Sequence, residues 1–155
     1  HLVRAYKKDK YGEYFPQNNF IIEDFIKTGV PKLIEYSENE QYNKSSSLLR
    51  SFLRLSEDPG VKFYNAVMDL FSFNKRDALE TMDTMLPEFD SIKRATSENT
   101  KPLLPDGMKH YFDLLIDEYE LDSAKNIIKI AHKQFPNDTA IDRRYQMNLD
   151  SLKYE

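Results

Sequence analysis

The chain has 155 residues, 40% of them apolar and 31% charged, with 22 basic against 26 acidic side chains, four glycines and no cysteine. Such a length can bury its own core, and the composition is that of a folded globular chain, neither disordered nor collagen-like. A formal charge of -4 argues against a phosphate-backbone binder, and the missing cysteine removes disulfides, thiolate nucleophiles and cysteine-ligated zinc.

No apolar run approaches the roughly 18 residues of a bilayer-spanning helix, and no signal peptide is visible. Neither nucleic acid nor membrane insertion is therefore expected. The first residue is His1, so the compartment stays open and a larger parent protein is conceivable. Glycine is too scarce for the many tight turns of an antiparallel sheet, which leaves an all-α fold as the expectation.

Residues 1–19 interleave Tyr6, Tyr11, Tyr14 and Phe15 with Lys7, Lys8 and Lys10 without helical period, and read as an irregular aromatic and basic arm. The remainder, 20–155, reads as one all-helical domain. Asn19 can cap a short helix carrying Phe20, Ile21, Phe25 and Ile26 and closed by Gly29, and Pro31 can open another turn or two with Leu33, Ile34 and Tyr36. The polar run Ser37–Ser47 predicts a loop grading into a helix start. Leu48, Leu49, Phe52, Leu53 and Leu55 then make an amphipathic stripe.

Asp58 before Pro59 is an N-cap followed by a proline at the first helical position, leading into Val61, Tyr64, Met68 and Phe71. After a break near Asn74, the residues Ala78, Leu79, Met82, Met85 and Leu86 face inward, and Phe89 and Ile92 continue a bent helix past Pro87. Thr96–Pro105, with two prolines, predicts a flexible loop. Asp106 can cap a helix bearing Met108, Tyr111, Phe112, Leu115 and Tyr119. Asp122 can cap the next, bearing Ala124, Ile127, Ile128, Ala131 and Phe135. Pro136 ends it, and Asp138 caps a terminal helix with Ile141, Tyr145, Leu149 and Leu152.

The short break between the last two long helices makes them an antiparallel hairpin. Met108, Tyr111, Leu115, Ala124, Ala131 and Pro136 resemble the pattern of a tetratricopeptide repeat, in which small residues on the second helix admit the first and a proline ends the unit. Phe112 departs from it, standing where that family has a small residue. An earlier hairpin, Val61–Leu86, has Ala66 and Ala78 in matching roles but Met85 in place of the second alanine. Ala78 and Ala124 are 46 positions apart, against roughly 34 in an ideal array. The fold is thus expected as stacked helical hairpins, tetratricopeptide-like or an irregular helical bundle.

Catalytic constellations are absent from the sequence pattern: there is no HExxH, no GxSxG, no P-loop, and Gly12, Gly29, Gly60 and Gly107 are too scattered to cradle phosphate. His110 and His132 fall on the two helices of one hairpin, where ordinary surface placement explains them. No enzyme activity, cofactor or metal is expected. The resemblance implies a scaffold or adaptor module that binds a protein or peptide. It places Lys109, Asp113, Ile116 and Asp117 on the partner-binding face, whose acids suit a basic or mixed-charge ligand. The alternative is an accessory helical domain of a larger enzyme or envelope protein, serving assembly or substrate presentation.

Overall fold

The computed structural model describes residues 17–72 and 74–154, with side chains described between 20 and 151 apart from 73. The expectation of an all-α protein holds: helices account for 79% and there is no strand among the described residues. Contacts divide the chain into two compact units, one up to residue 104 and one from residue 105.

In the first unit, α1 (Gln17–Glu38) packs on α2 (Tyr42–Leu55), α2 on α3 (Pro59–Asp69), and α3 on both α4 (Lys75–Met85) and α5 (Phe89–Ala95). α1 corrects two expectations. It is already helical at Gln17, two residues before the expected cap Asn19, and it runs unbroken through Gly29 and Pro31. Its buried stripe, Ile22, Ile26, Val30, Leu33 and Ser37, keeps helical spacing across that stretch, and this burial outweighs the single backbone hydrogen bond that Pro31 forfeits. Gly29 is no helix end. A Cβ there would lie 2.6 Å from Cζ of Phe52, so glycine is what lets the buried ring approach. Phe20 and Ile21, expected inward, are exposed. The rest of the aromatic arm lies outside the described residues.

The loop expected at Ser37–Ser47 is only a three-residue turn. Gln41 N–H donates to the Tyr36 carbonyl (2.8 Å) and Glu40 N–H to the Ser37 carbonyl (3.2 Å), a Schellman closure with Glu40 at φ 59°. Ser37 and Ser45 are fully buried. The Ser37 hydroxyl donates to the Leu33 carbonyl at 3.0 Å, which leaves Ser45 to donate to it, also at 3.0 Å, and Met68 Sδ lies 3.4 Å away. Leu49, Phe52 and Leu55 complete the inner face of α2.

Asp58 caps α3 as expected, accepting from Val61 N–H at 3.2 Å. α3 buries Val61, Phe63, Tyr64, Ala66, Val67 and Met68 on nearly all sides, as a central helix must. Ala78 and Met82 of α4 are buried, whereas Leu79, Met85 and Leu86 are half-buried. The bend at Pro87 is a 3-10 turn (Leu86–Glu88), beyond which Phe89 meets Phe63 edge-on at 5.4 Å.

The flexible loop expected at Thr96–Pro105 is instead fastened. Asp58 Oδ1 accepts from Ser97 N–H (2.8 Å) and Oδ2 from the Thr100 hydroxyl (2.6 Å). Thr96 and Thr100 are buried, and a Cβ on Gly60 would stand 2.5 Å from Thr96 Cγ2.

In the second region α6 (Leu103–Asp117) starts earlier than expected, so Asp106 is not its cap. It sits buried in the first turns, 3.2 Å from His110 Nε2 and 3.8 Å from Lys109 Nζ. Met108, Tyr111, Phe112 and Leu115 are buried as expected. Tyr119 is not on that helix. It holds the left-handed position (φ 58°) of a second Schellman closure, in which Glu120 N–H donates to the Leu115 carbonyl (2.9 Å) and Tyr119 N–H to that of Ile116 (3.0 Å).

α7 (Leu121–Gln134) begins one residue before the expected cap Asp122, behind Glu120, and buries Ala124, Ile127, Ile128 and Ala131. Pro136 follows its end. Asp138 caps α8 (Thr139–Tyr145) by accepting from Ala140 and Ile141 N–H, both at 3.0 Å. The expected single terminal helix breaks after Tyr145 and resumes as a 3-10 turn at Leu149–Tyr154. Ile141 and Leu149 are buried and Tyr145 is exposed; the Leu152 side chain lies outside the described residues.

Candidate functional site

α1 and α2 lie side by side, and the grooved surface between them is an open cavity of about 710 Å³ lined by Phe25, Thr28, Gly29, Lys32, Tyr36, Lys44, Ser47, Leu48 and Ser51. Its lining follows from helical geometry. Phe25, Thr28/Gly29, Lys32 and Tyr36 recur every three or four residues along α1, as do Lys44, Ser47/Leu48 and Ser51 along α2. Phe25 and Leu48 supply the apolar part of the lining; beneath them the buried Phe52 ring lies against Gly29 and meets Phe25 edge-on at 5.6 Å. Lys44 Nζ lies 5.6 Å from the centre of the Tyr36 ring, over its face. Both lysines are exposed. Among the described residues neither is in an ion pair, and no carboxylate lines the cavity.

A second cavity, of about 420 Å³, lies among Lys125, Lys129, Arg144, Tyr145 and Met147. Its charges are largely committed. Lys125 pairs with Asp150, and the Arg144 guanidinium grips Asp113 through Nε to Oδ1 and Nη2 to Oδ2, both at 2.9 Å. That hydrogen bond, against the opposing effect of burial, holds the Arg144 guanidinium above its ordinary pKa. Elsewhere, burial pushes the Asp69 carboxyl up, at the last residue of α3.

The four residues expected on the binding face share α6. Asp113 and Asp117 are exposed, and Lys109 and Ile116 are half-buried. The structure does not leave the two acids equivalent, because Arg144, 31 residues further on, occupies Asp113. His110 and His132 are not brought together as a pair of ligands: His110 faces Asp106, while His132 stacks on Tyr145 at 3.9 Å and lies 3.5 Å from Asp142. Among the described residues no three His, Asp or Glu side chains converge as a metal site, and no helix is long and apolar enough to cross a membrane.

The groove residues were not singled out in the sequence as a site. The available signal was a stripe on each of two consecutive helices bearing aromatic, hydroxyl and lysine side chains and no acid. The sequence masks it, because Gly29 and Pro31 look like a helix end and the polar start of α2 looks like a loop. No protein-family model matches the chain, and comparisons with curated proteins and with solved structures find none that matches.

Proposed function

We propose that the chain is a non-catalytic interaction module, a tetratricopeptide-like set of helical hairpins that holds a partner protein or peptide. One observation carries this reading: three helices that follow a partner helix in the chain begin with a small buried residue at the same position. In α2, α4 and α7 the fourth residue is small and buried, namely Ser45, Ala78 and Ala124. Ser45 and Ala78 are 33 positions apart, close to the roughly 34 of the ideal repeat. The segment 86–102, with its own short helix α5, accounts for the longer step to Ala124. A small residue at that register lets paired helices approach closely, and hairpins so built expose helix-lined faces suited to polypeptides.

Two such faces are at hand. One is the α1/α2 groove. The other is the α6 surface of Lys109, Asp113, Ile116 and Asp117, which suits a mixed-charge segment now that Arg144 neutralises Asp113. The test is photo-crosslinking in the native extract from a benzoylphenylalanine placed singly at Thr28, Leu48 or Ile116. At least one position is expected to capture a discrete polypeptide that excess unlabelled protein competes away. Capture of no polypeptide from any of the three, with a small-molecule metabolite raising the melting temperature instead, would overturn the reading.

A further inference from the structure

We propose that the groove between α1 and α2 receives an acidic amphipathic helix of about three turns, supplied by a partner protein. The proposal rests on the interaction-module reading and adds which surface is used and what chemistry it selects. Three features of the groove point there.

Its shape is linear: from Phe25 to Tyr36 the α1 rim runs about 16 Å at 1.5 Å per residue, the length of three helical turns. Its apolar lining is Phe25 and Leu48, with the bare Gly29 backbone beside them, so it can take the apolar side chains of one helix face. Its charge is of one sign. Lys32 and Lys44 line it, no carboxylate does, and this in a chain whose net charge is -4. A segment with glutamates or aspartates flanking an apolar stripe therefore meets both lysines without meeting an acid.

The chain's own amino-terminal arm is a rival occupant, yet Arg4, Lys7, Lys8 and Lys10 outnumber Asp9 and Glu13 there, so its net charge has the same sign as the groove. A second copy of the chain is the other rival.

The probe is a fluorescein-labelled, stapled peptide of about twelve residues with leucines on one helical face and glutamates on the flanks, compared with a copy in which every glutamate is lysine. Fluorescence anisotropy with the full chain should show binding of the glutamate peptide alone, weakening as salt is raised. Lys32→Glu with Lys44→Glu should lower that affinity about tenfold or more and admit the lysine peptide. Both lysines are exposed, so the double variant keeps its melting temperature; the neutral Lys32→Gln, Lys44→Gln pair gives the intermediate affinity. Leu48→Gln should weaken the glutamate peptide without admitting the lysine peptide.

Equal binding of the two peptides, or indifference to the lysine substitutions, overturns the proposal. So does tighter binding of a peptide of residues 1–16, which assigns the groove to the chain's own arm. Self-association abolished by Lys32→Glu and Lys44→Glu overturns it in favour of a second copy. Photo-capture from Ile116 surviving any of these results would leave the interaction module standing and remove only this groove from it.

Discussion

The α1–α2 and α6–α7 hairpins turn in the same way and distribute their large and small residues in opposite ways. Each first helix ends in a Schellman closure on a non-glycine residue, Glu40 at φ 59° and Tyr119 at φ 58°. The next residue has nearly the same torsions in both, φ -86°, ψ 62° at Gln41 and φ -84°, ψ 64° at Glu120. Counting from those turns, Gly29 and Met108 hold one register and Phe52 and Ala131 another. The first hairpin thus sets its small residue on the leading helix and its large one on the following helix, and the second reverses them. All but the half-buried Gly29 are buried. Backbone geometry is set by the turn, and the space between the helices can be filled from either side provided that the total volume is kept.

The largest expected effects come from breaking that exchange. Phe52→Ala should cost about 3–5 kcal/mol, because the ring is fully buried and supports Phe25 as well. Adding Gly29→Met to it should recover part of the loss, a coupling of roughly 1–3 kcal/mol in a double-mutant cycle read by urea unfolding. In the other hairpin Ala131→Leu should cost about 1–3 kcal/mol by overpacking, and Met108→Ala should relieve it. Strict additivity in either cycle would show that the paired registers do not share space and would dissolve the comparison.

The same exchange explains what could be read in advance. The second hairpin was legible because its small residues are alanines seven apart with a proline behind them, whereas the first carries the equivalent economy in Gly29 and Ser45, which look like a helix end and a loop. Local signals sufficed wherever the cause was local: the Asp58 and Asp138 caps, the stripes of α2, α3 and α7, the bend at Pro87. They failed where a distant group decides. Thr96–Pro105 has loop composition, yet Asp58, some 39 residues earlier in sequence, accepts from Ser97 N–H and fixes it. Asp113 and Asp117 look alike in sequence, and only Arg144 on another helix tells them apart. The groove was invisible for the same reason, since its two rims meet through a turn that the polar run Ser37–Ser47 conceals.

Smaller effects are expected from the polar pair that distinguishes the first hairpin. Ser45→Ala leaves the Ser37 hydroxyl bonded to the Leu33 carbonyl and should cost well under about 1 kcal/mol. Ser37→Ala instead strands the Ser45 hydroxyl in the core and should cost about 1–2 kcal/mol. Replacing both removes donor and acceptor together and should come out closer to neutral than Ser37→Ala alone, giving the joint the alanine seen at position 124. A double variant worse than either single one would mean that the serines contribute more than mutual satisfaction.

The smallest effect tests the shared turn itself. A non-glycine residue in the left-handed region crowds its Cβ against the following carbonyl, at a cost of roughly 1 kcal/mol, and glycine removes that cost. Part of the gain is returned, because glycine also widens the unfolded ensemble. Glu40 is exposed and Tyr119 is 73% exposed, so neither substitution deletes much packing. Glu40→Gly and Tyr119→Gly should each therefore stabilise by about 0.5 kcal/mol, and by the same amount if the turns are equivalent. Chemical denaturation of the two single variants and the double one decides the matter, and the two gains should add because the turns are separate. Stabilisation at position 40 with a loss at 119 would show that the tyrosine ring contributes contacts which Glu40 does not make, and the turns would then share torsions without sharing energetics.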